Sequence, residues 1–338
     1  MSLATAILTG DVAELPSRRD EDWRWTDLRG LIRALPDASP VYEGALAAGP
    51  FEAAETVLVI NGHGPDRLRT RDDGVVAVRF VSHATETAHH ARLAVEVGPG
   101  RSLTLLESYE GQGSGYLASA ELDIRLGEGA RLERIVLAAD HEDAVSVSRA
   151  QVALSAGSVF EQTVLATGAK RQRIETQVVH PGHGASVRMD GAYLIAGKRH
   201  GDITTIVEHD GVDGVTSQLI KGVVRDQGRG VFQGRIVVAE GADRTDARMG
   251  HHALILSERA GVDAKPELLI FADDVQCAHG NTIGALDEDA IFYARQRGVP
   301  EDQARAMLTE AFIGEVIDRI GHEGAREAAR AWARERLR

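Results

Sequence analysis

From about residue 92 to 275 the chain alternates short runs rich in Val, Ile and Leu with glycine turns. Four turns share one form: Val97-Gly-Pro-Gly-Arg-Ser-Leu103, Leu126-Gly-Glu-Gly-Ala-Arg-Leu132, Leu154-Ser-Ala-Gly-Ser-Val-Phe160 and His180-Pro-Gly-His-Gly-Ala-Ser-Val187. Their last glycines, Gly100, Gly129, Gly157 and Gly184, are 29, 28 and 27 residues apart. A near-constant period in the twenties, with no helical pattern inside it, predicts stacked β coils whose apolar faces are covered only by neighbouring coils. Turns at Gly228, Gly230 and Gly241 continue the style with looser spacing. Gly-x-Gly here reads as a turn device, because positive φ costs glycine little. A phosphate loop would need a following helix, and none is predicted. Such a stack is expected to be capped at both ends.

The flanks follow other patterns. Pro16-Ser-Arg-Arg-Asp-Glu-Asp-Trp-Arg-Trp-Thr-Asp-Leu28 predicts a helix opening at Pro16 and Ser17, with Asp20 and Glu21 at its positive end. Trp23 and Trp25 cannot share a helix face at i, i+2, so a break is expected near Trp25. Leu35-Pro-Asp-Ala-Ser-Pro40 ends that segment. Thr56–Ile60 and Val75–Val81 read as strands around an Asn61-Gly-His-Gly-Pro65 turn, with His63 solvated. Beyond 284, Asp287 caps a helix to about Arg297 that Gly298 closes, and Pro300 opens another at its first position. Ala304, Met307, Leu308, Ala311, Phe312 and Val316 mark its apolar face, and Ile313, Ile317 and Ile320 widen it. Core packing explains most of that stripe, and a partner groove would explain the excess. Residues 321–338, rich in Ala, Arg and Glu, read as a frayed helical tail. The expected organisation is an N-terminal helical and α/β region (1–91), a parallel β-helix core (92–284) and a C-terminal helical subdomain (285–338). The fold class is mainly β, a right-handed parallel β-helix.

Composition narrows the function. Only 4% of residues are aromatic, which suits small-residue repetitive packing. No apolar run reaches the ~18 residues of a membrane span. The first residues lack a basic n-region, so no secretory signal is expected. A net charge of −13 argues against nucleic acid and anionic membranes as partners. One cysteine forms no internal disulfide and fits a reducing cytoplasm.

The candidate chemistry is concentrated in Phe271-Ala-Asp-Asp-Val-Gln-Cys-Ala-His-Gly-Asn-Thr-Ile-Gly284. If this stretch is extended, Cys277 and His279 share a face. A thiolate beside an imidazole suits iron–sulfur chemistry, zinc or copper. The pair also suits a nucleophile with its base, or a small buried hydrophobe near a surface histidine. Asp273 and Asp274 nearby would disfavour the thiolate. His89–His90 and His251–His252, adjacent in strands, would point to opposite faces and could not chelate as pairs. His180 and His183 could share a metal, but no third ligand is visible. No Gly-x-Ser-x-Gly run exists for a serine nucleophile.

The run Asp273–Gly284, continued by Leu286-Asp-Glu-Asp-Ala-Ile-Phe-Tyr-Ala-Arg-Gln-Arg-Gly-Val-Pro300, resembles the C-terminal signature of the SufB/SufD family of SUF iron–sulfur cluster assembly. Its Cys-Ala-His-Gly is closer to the SufD branch. Weaker likeness covers Glu21-x-Trp23-x-x-Thr26-x-Leu28 and Phe232-x-Gly234. Arg248-Met249 and His251-His252 depart from the family's usual residues. The resemblance implies a non-enzymatic scaffold with SufB-like and SufC-like (ABC-type ATPase) partners, and a homodimer when alone. It implies a cluster interface at Cys277 and His279. SufC docking would fall on the C-terminal helices, through Asp287, Phe292, Tyr293, Met307, Leu308, Phe312 and Val316. No cofactor is expected to bind tightly to the isolated chain. Two donors cannot complete an iron–sulfur cluster, so iron or a cluster would sit transiently where SufB adds ligands. Flavin involvement stays open. The rival reading is a β-helix carbohydrate-active enzyme of the lyase type, with Asp202, Glu208, Asp210 and Arg225 in a groove.

Overall fold

The computed structural model describes residues 1–70 and 73–337. Among the described residues, seventeen strands run in two parallel sheets that alternate along the chain. One sheet contains β1 (Glu55–Ile60), β3 (Gly74–Ser82), β5 (Ser102–Gly111), β7 (Arg131–Ala139), β9 (Val159–Ala166), β11 (Ser186–Ile195), β13 (Val215–Val224), β15 (Thr245–Ile255) and β17 (Val275–Gly284). The other contains β2 (Arg67–Thr70), β4 (Ala88–Val97), β6 (Leu117–Leu126), β8 (Val145–Ala153), β10 (Arg171–His180), β12 (His200–His209), β14 (Arg229–Val238) and β16 (Gly261–Ile270). Each coil contributes one strand to each sheet, as expected of a parallel β-solenoid. The glycine period is the register itself: Ser102 pairs with Arg131, Arg131 with Val159, and Val159 with Ser186. Gly100, Gly129, Gly157 and Gly184 all have φ between 64° and 76°, the left-handed turn that a side chain would strain. The strands before residue 92 belong to these same two sheets, so the stack starts at Glu55.

Residues alternate between the interior and the outer faces, as period-two strands require. Leu105, Leu132, Val136, Phe160, Val164, Ile174, Val178, Met189, Ile203, Phe232 and Ile236 fill the interior. A polar layer crosses it. Arg134 is fully buried and grips Glu107 through two bonds, of 2.7 and 2.8 Å, while its Nη1 donates to Gln162 at 2.6 Å.

The helices cover flanks rather than ends. On the outer face of the nine-stranded sheet, Leu106, Ile135, Leu137, Leu165 and Leu194 pack under α3 (Glu301–Ile317) and α4 (Glu323–Leu337). Ile313, Val316, Ile317 and Ile320 point into this layer, so the sheet absorbs most of the widened stripe. The tail read as frayed is a packed helix. Ala325, Ala329, Trp332 and Ala333 lie on one face at helical spacing and are buried, the alanines allowing close approach. Its final residue, 338, lies outside the described residues. α2 (Glu288–Gln296) is capped by the Asp287 carboxylate, which accepts from the Asp289 and Ala290 amides, and Gly298 follows at φ 84°. Pro300 occupies the N-cap of α3, one position before the N1 expected.

The N-terminal segment differs from the helix expected at Pro16. Its one α-helix is α1 (Leu3–Thr9), and Glu21–Trp23 form only a 3-10 turn. Ion pairs to the solenoid replace helical bonding: Arg235 holds the Asp22 carboxylate and Lys265 holds Glu21, both at 2.6 Å. Arg173 donates to the Asp22 carbonyl and lies over the Trp23 ring, 4.3 Å from its centroid. Leu3, Ala6, Leu15 and Leu28 then bury against Ala88, Leu117, Val145 and Val147 on the second sheet's outer face.

Candidate functional site

β17 ends its sheet, paired on one side only with β15, and β16 ends the other. The C-terminal end of the solenoid is therefore uncovered, contrary to the cap expected there. Its mouth shows Val262, Leu268, Ala272, Val275 and Cys277 half-buried, with Leu269, Ile270, Phe271 and Ile283 exposed around it.

The alternation expected of Cys277 and His279 holds. Cys277 lies opposite Ala247 and His279 opposite Met249, both interior residues, so the pair faces the mouth of the solenoid. Cys277 is half-buried and His279 exposed. Burial pushes the Cys277 thiol up, and the nearby carboxylate is Asp246 on β15 rather than Asp273 or Asp274. Those two precede the strand, in a turn where the Asp274 carbonyl accepts the Arg244 amide. Among the described residues no three His, Cys, Asp or Glu side chains gather into a metal-binding group. Cys277 and His279 thus offer two donors, one soft and one borderline.

Asn281 continues the same face, and sequence reasoning passed it over. Its Oδ1 lies 2.7 Å from His251 Nδ1, and His251 Nε2 lies 2.8 Å from the Tyr193 hydroxyl. His251 also stacks on Phe232. Burial depresses its pKa to about 4, so the ring is neutral at pH 7 and links the interior to the edge strand. The 277, 279, 281 alternation could have identified Asn281, whereas Tyr193, 58 residues from His251, left no local signal. Phe232 and Met249 occupy the space at Gly234, where an added Cβ would lie 2.2 Å from the Met249 sulfur, explaining the missing side chain.

His180 is buried, stacks on His209 at 4.4 Å, and has Nε2 3.2 Å from the Val215 carbonyl. His183 sits at positive φ in the turn. His252, on the opposite face from His251, bonds Thr282. Asp202, one of the acids imagined for a lyase groove, is fully buried and tied to Thr26 and Arg173, so no sugar reaches it.

The residues expected to dock an ATPase subunit divide by exposure. Phe292 (61%) and Met307 (60%) stand out from α2 and α3, with Tyr293 beside them. Asp287 caps α2, Leu308 packs toward Leu286 and Ile291, and Phe312 packs against the sheet under the Lys221 ammonium. Val316 is fully buried and is corrected from surface contact to core. No described helix is long and apolar enough to cross a membrane.

Fold and site define a parallel β-solenoid with helices on its flanks and an open edge strand carrying a thiol and an imidazole. A family model described as "SUF system FeS cluster assembly, SufBD core domain" matches residues 80–312, and the chain belongs to this SufB/SufD family. It is 27% identical to the iron–sulfur cluster assembly protein SufD of Escherichia coli K12, over 96% of this chain and 89% of that one. A SufBD family protein of Synechocystis is 31% identical over 68% of this chain and 52% of its own length. One from Mycobacterium leprae is 26% identical over 94% and 89%. Nothing in these matches supports a carbohydrate lyase.

Proposed function

We propose that the chain is a non-enzymatic scaffold subunit of a cytoplasmic SUF complex. It pairs through β17 with a SufB-like subunit, and with a second copy of itself when that subunit is absent. The observation that carries this reading is the unpaired edge of β17. An exposed row of backbone donors and acceptors beside apolar side chains is a template for another chain. Gly280 leaves the backbone bare, since a Cβ there would meet nothing within 4 Å. β16 is the poorer edge, because Pro266 removes one donor from it.

At that interface Cys277 and His279 each give one donor to iron or a nascent cluster, and the partner gives the rest. With its thiol pKa raised, Cys277 is protonated at rest and must lose that proton to bind metal, while the exposed His279 ring offers a nitrogen donor. His279→Ala is therefore expected to impair cluster formation on the reconstituted complex more than Cys277→Ala does, with both variants folded. Absorbance of the sulfide-to-iron charge-transfer band measures it; full cluster yield from the His279 variant would refute the assignment.

The SufC-like ATPase docks on the outer face of α2 and α3, through Phe292, Tyr293 and Met307. Deleting the C-terminal helices would uncover Ile135, Leu137 and Leu165 and invite aggregation, so substitution is the cleaner test. Phe292→Ser combined with Met307→Ser is expected to weaken SufC binding by about tenfold or more, as loss of buried apolar anchors does. Circular dichroism should stay unchanged, and undiminished binding in calorimetry would place the contact elsewhere.

A further inference from the structure

A second feature owes nothing to the edge strand. Between the outer face of the nine-stranded sheet and the C-terminal helices lies a cleft of about 710 Å³. Its apolar wall includes Leu194, Val223 and Leu256, and Arg199, Arg225 and Arg336 reach it from three elements.

Two of these guanidiniums lack a close carboxylate partner. Arg199 spends one guanidinium nitrogen on two backbone carbonyls, of Asp140 at 3.1 Å and Gly168 at 2.9 Å. Arg225 donates one bond, to the Arg336 carbonyl at 3.3 Å. Among the described residues neither meets a carboxylate at salt-bridge distance, although the chain carries 51 acidic residues. Their other nitrogens are not among the buried polar atoms left without a partner, so solvent reaches them. Of the acids lining it, Asp140 is committed elsewhere, one oxygen taking the Tyr116 hydroxyl and the other the Gln172 amide. Glu335 pairs with Arg336, and Asp302 stands exposed at the rim. Burial, with Arg199 adding repulsion, pulls the Arg336 guanidinium below the usual arginine value. Half-buried guanidiniums gathered over an apolar wall are stabilised by an oxyanion that accepts two bonds at once.

We infer that this cleft binds a small organic anion, with a phosphate or carboxylate head on Arg199 and Arg225 and an apolar body against Leu194, Val223 and Leu256. The head replaces water on the unused nitrogens, and the body covers apolar surface now solvated. Arg336 adds a third positive charge while keeping its bond to Glu335.

The test is isothermal titration calorimetry of the full chain with phenyl phosphate, benzoate and neutral benzyl alcohol. One-to-one binding of at least one anion is expected, with benzyl alcohol silent; the stronger anion identifies the head group. Arg225→Gln and Arg199→Gln should each weaken binding about tenfold or more, the loss of one charge-assisted contact. Arg225→Lys should retain part of it, which separates lost charge from misfolding. Arg125→Gln, on the other sheet, should change nothing. Equal heats for anions and benzyl alcohol, or affinity unmoved by both Gln variants, would overturn the proposal.

Discussion

Lowering the pH from 7 to 5 should destabilise the folded chain by several kcal/mol. Four buried histidines are responsible: His89, His200 and His251 have pKa values lowered to about 4, and His209 to about 3. Burial is the leading cause in each, and for His209 the neighbouring His180 adds to it. The sign follows from linkage. Unfolded histidine titrates near ~6.5, so below that pH the unfolded chain takes up protons that the folded chain refuses. Stability is complete above about pH 6.5 and declines as pH falls toward the folded values, by roughly 2 kcal/mol per histidine at pH 5. Asp140 and Asp190, raised chiefly by burial, act in the opposite sense, their cost to the fold being relieved as pH falls through their raised values. Urea unfolding at pH 7 and pH 5 measures the difference. An unchanged midpoint would mean that these rings are already charged or solvated in the fold.

The second large effect belongs to the polar layer in the interior. Arg134→Leu leaves Glu107 buried without its cation and Gln162 with only the Thr176 hydroxyl as donor. Breaking a buried pair in this way costs about 3–5 kcal/mol, whereas replacing both partners by apolar groups is often close to neutral. The double variant Arg134→Leu with Glu107→Leu should therefore recover most of the loss. Equilibrium unfolding of the two singles and the double gives the coupling; additive losses would show that each residue acts alone.

Much of this architecture could be read from the chain because a solenoid writes its geometry locally. Each coil repeats the glycine turn that the next must match, so Gly100, Gly129 and Gly157 announced the register. Asp287 and Gly298 marked helix ends in the same local way. What escaped depended on distance. The helix expected at Pro16 was overridden by Arg173, Arg235 and Lys265, hydrogen-bonding and ion-pairing partners 150 to 250 residues away in the chain. The frayed tail was misjudged because alanine signals little until a flat sheet lies beneath it, as at Ala325 and Ala329. Val316 looked like a docking residue because an amphipathic stripe does not say which neighbour covers it. At the edge strand, alternation placed Cys277 and His279 on one face, but Asp246 and Tyr193 came from other coils.

The central claim is that β17 is a pairing edge. Hydrogen–deuterium exchange on the full chain, alone and with a SufB-like subunit, tests it most directly. Amides of residues 275–284 should slow markedly in the complex, while those of β5 and β7, already paired on both sides, stay as slow as before. A complex that forms with the 275–284 amides exchanging as fast as in the free chain would contradict the account.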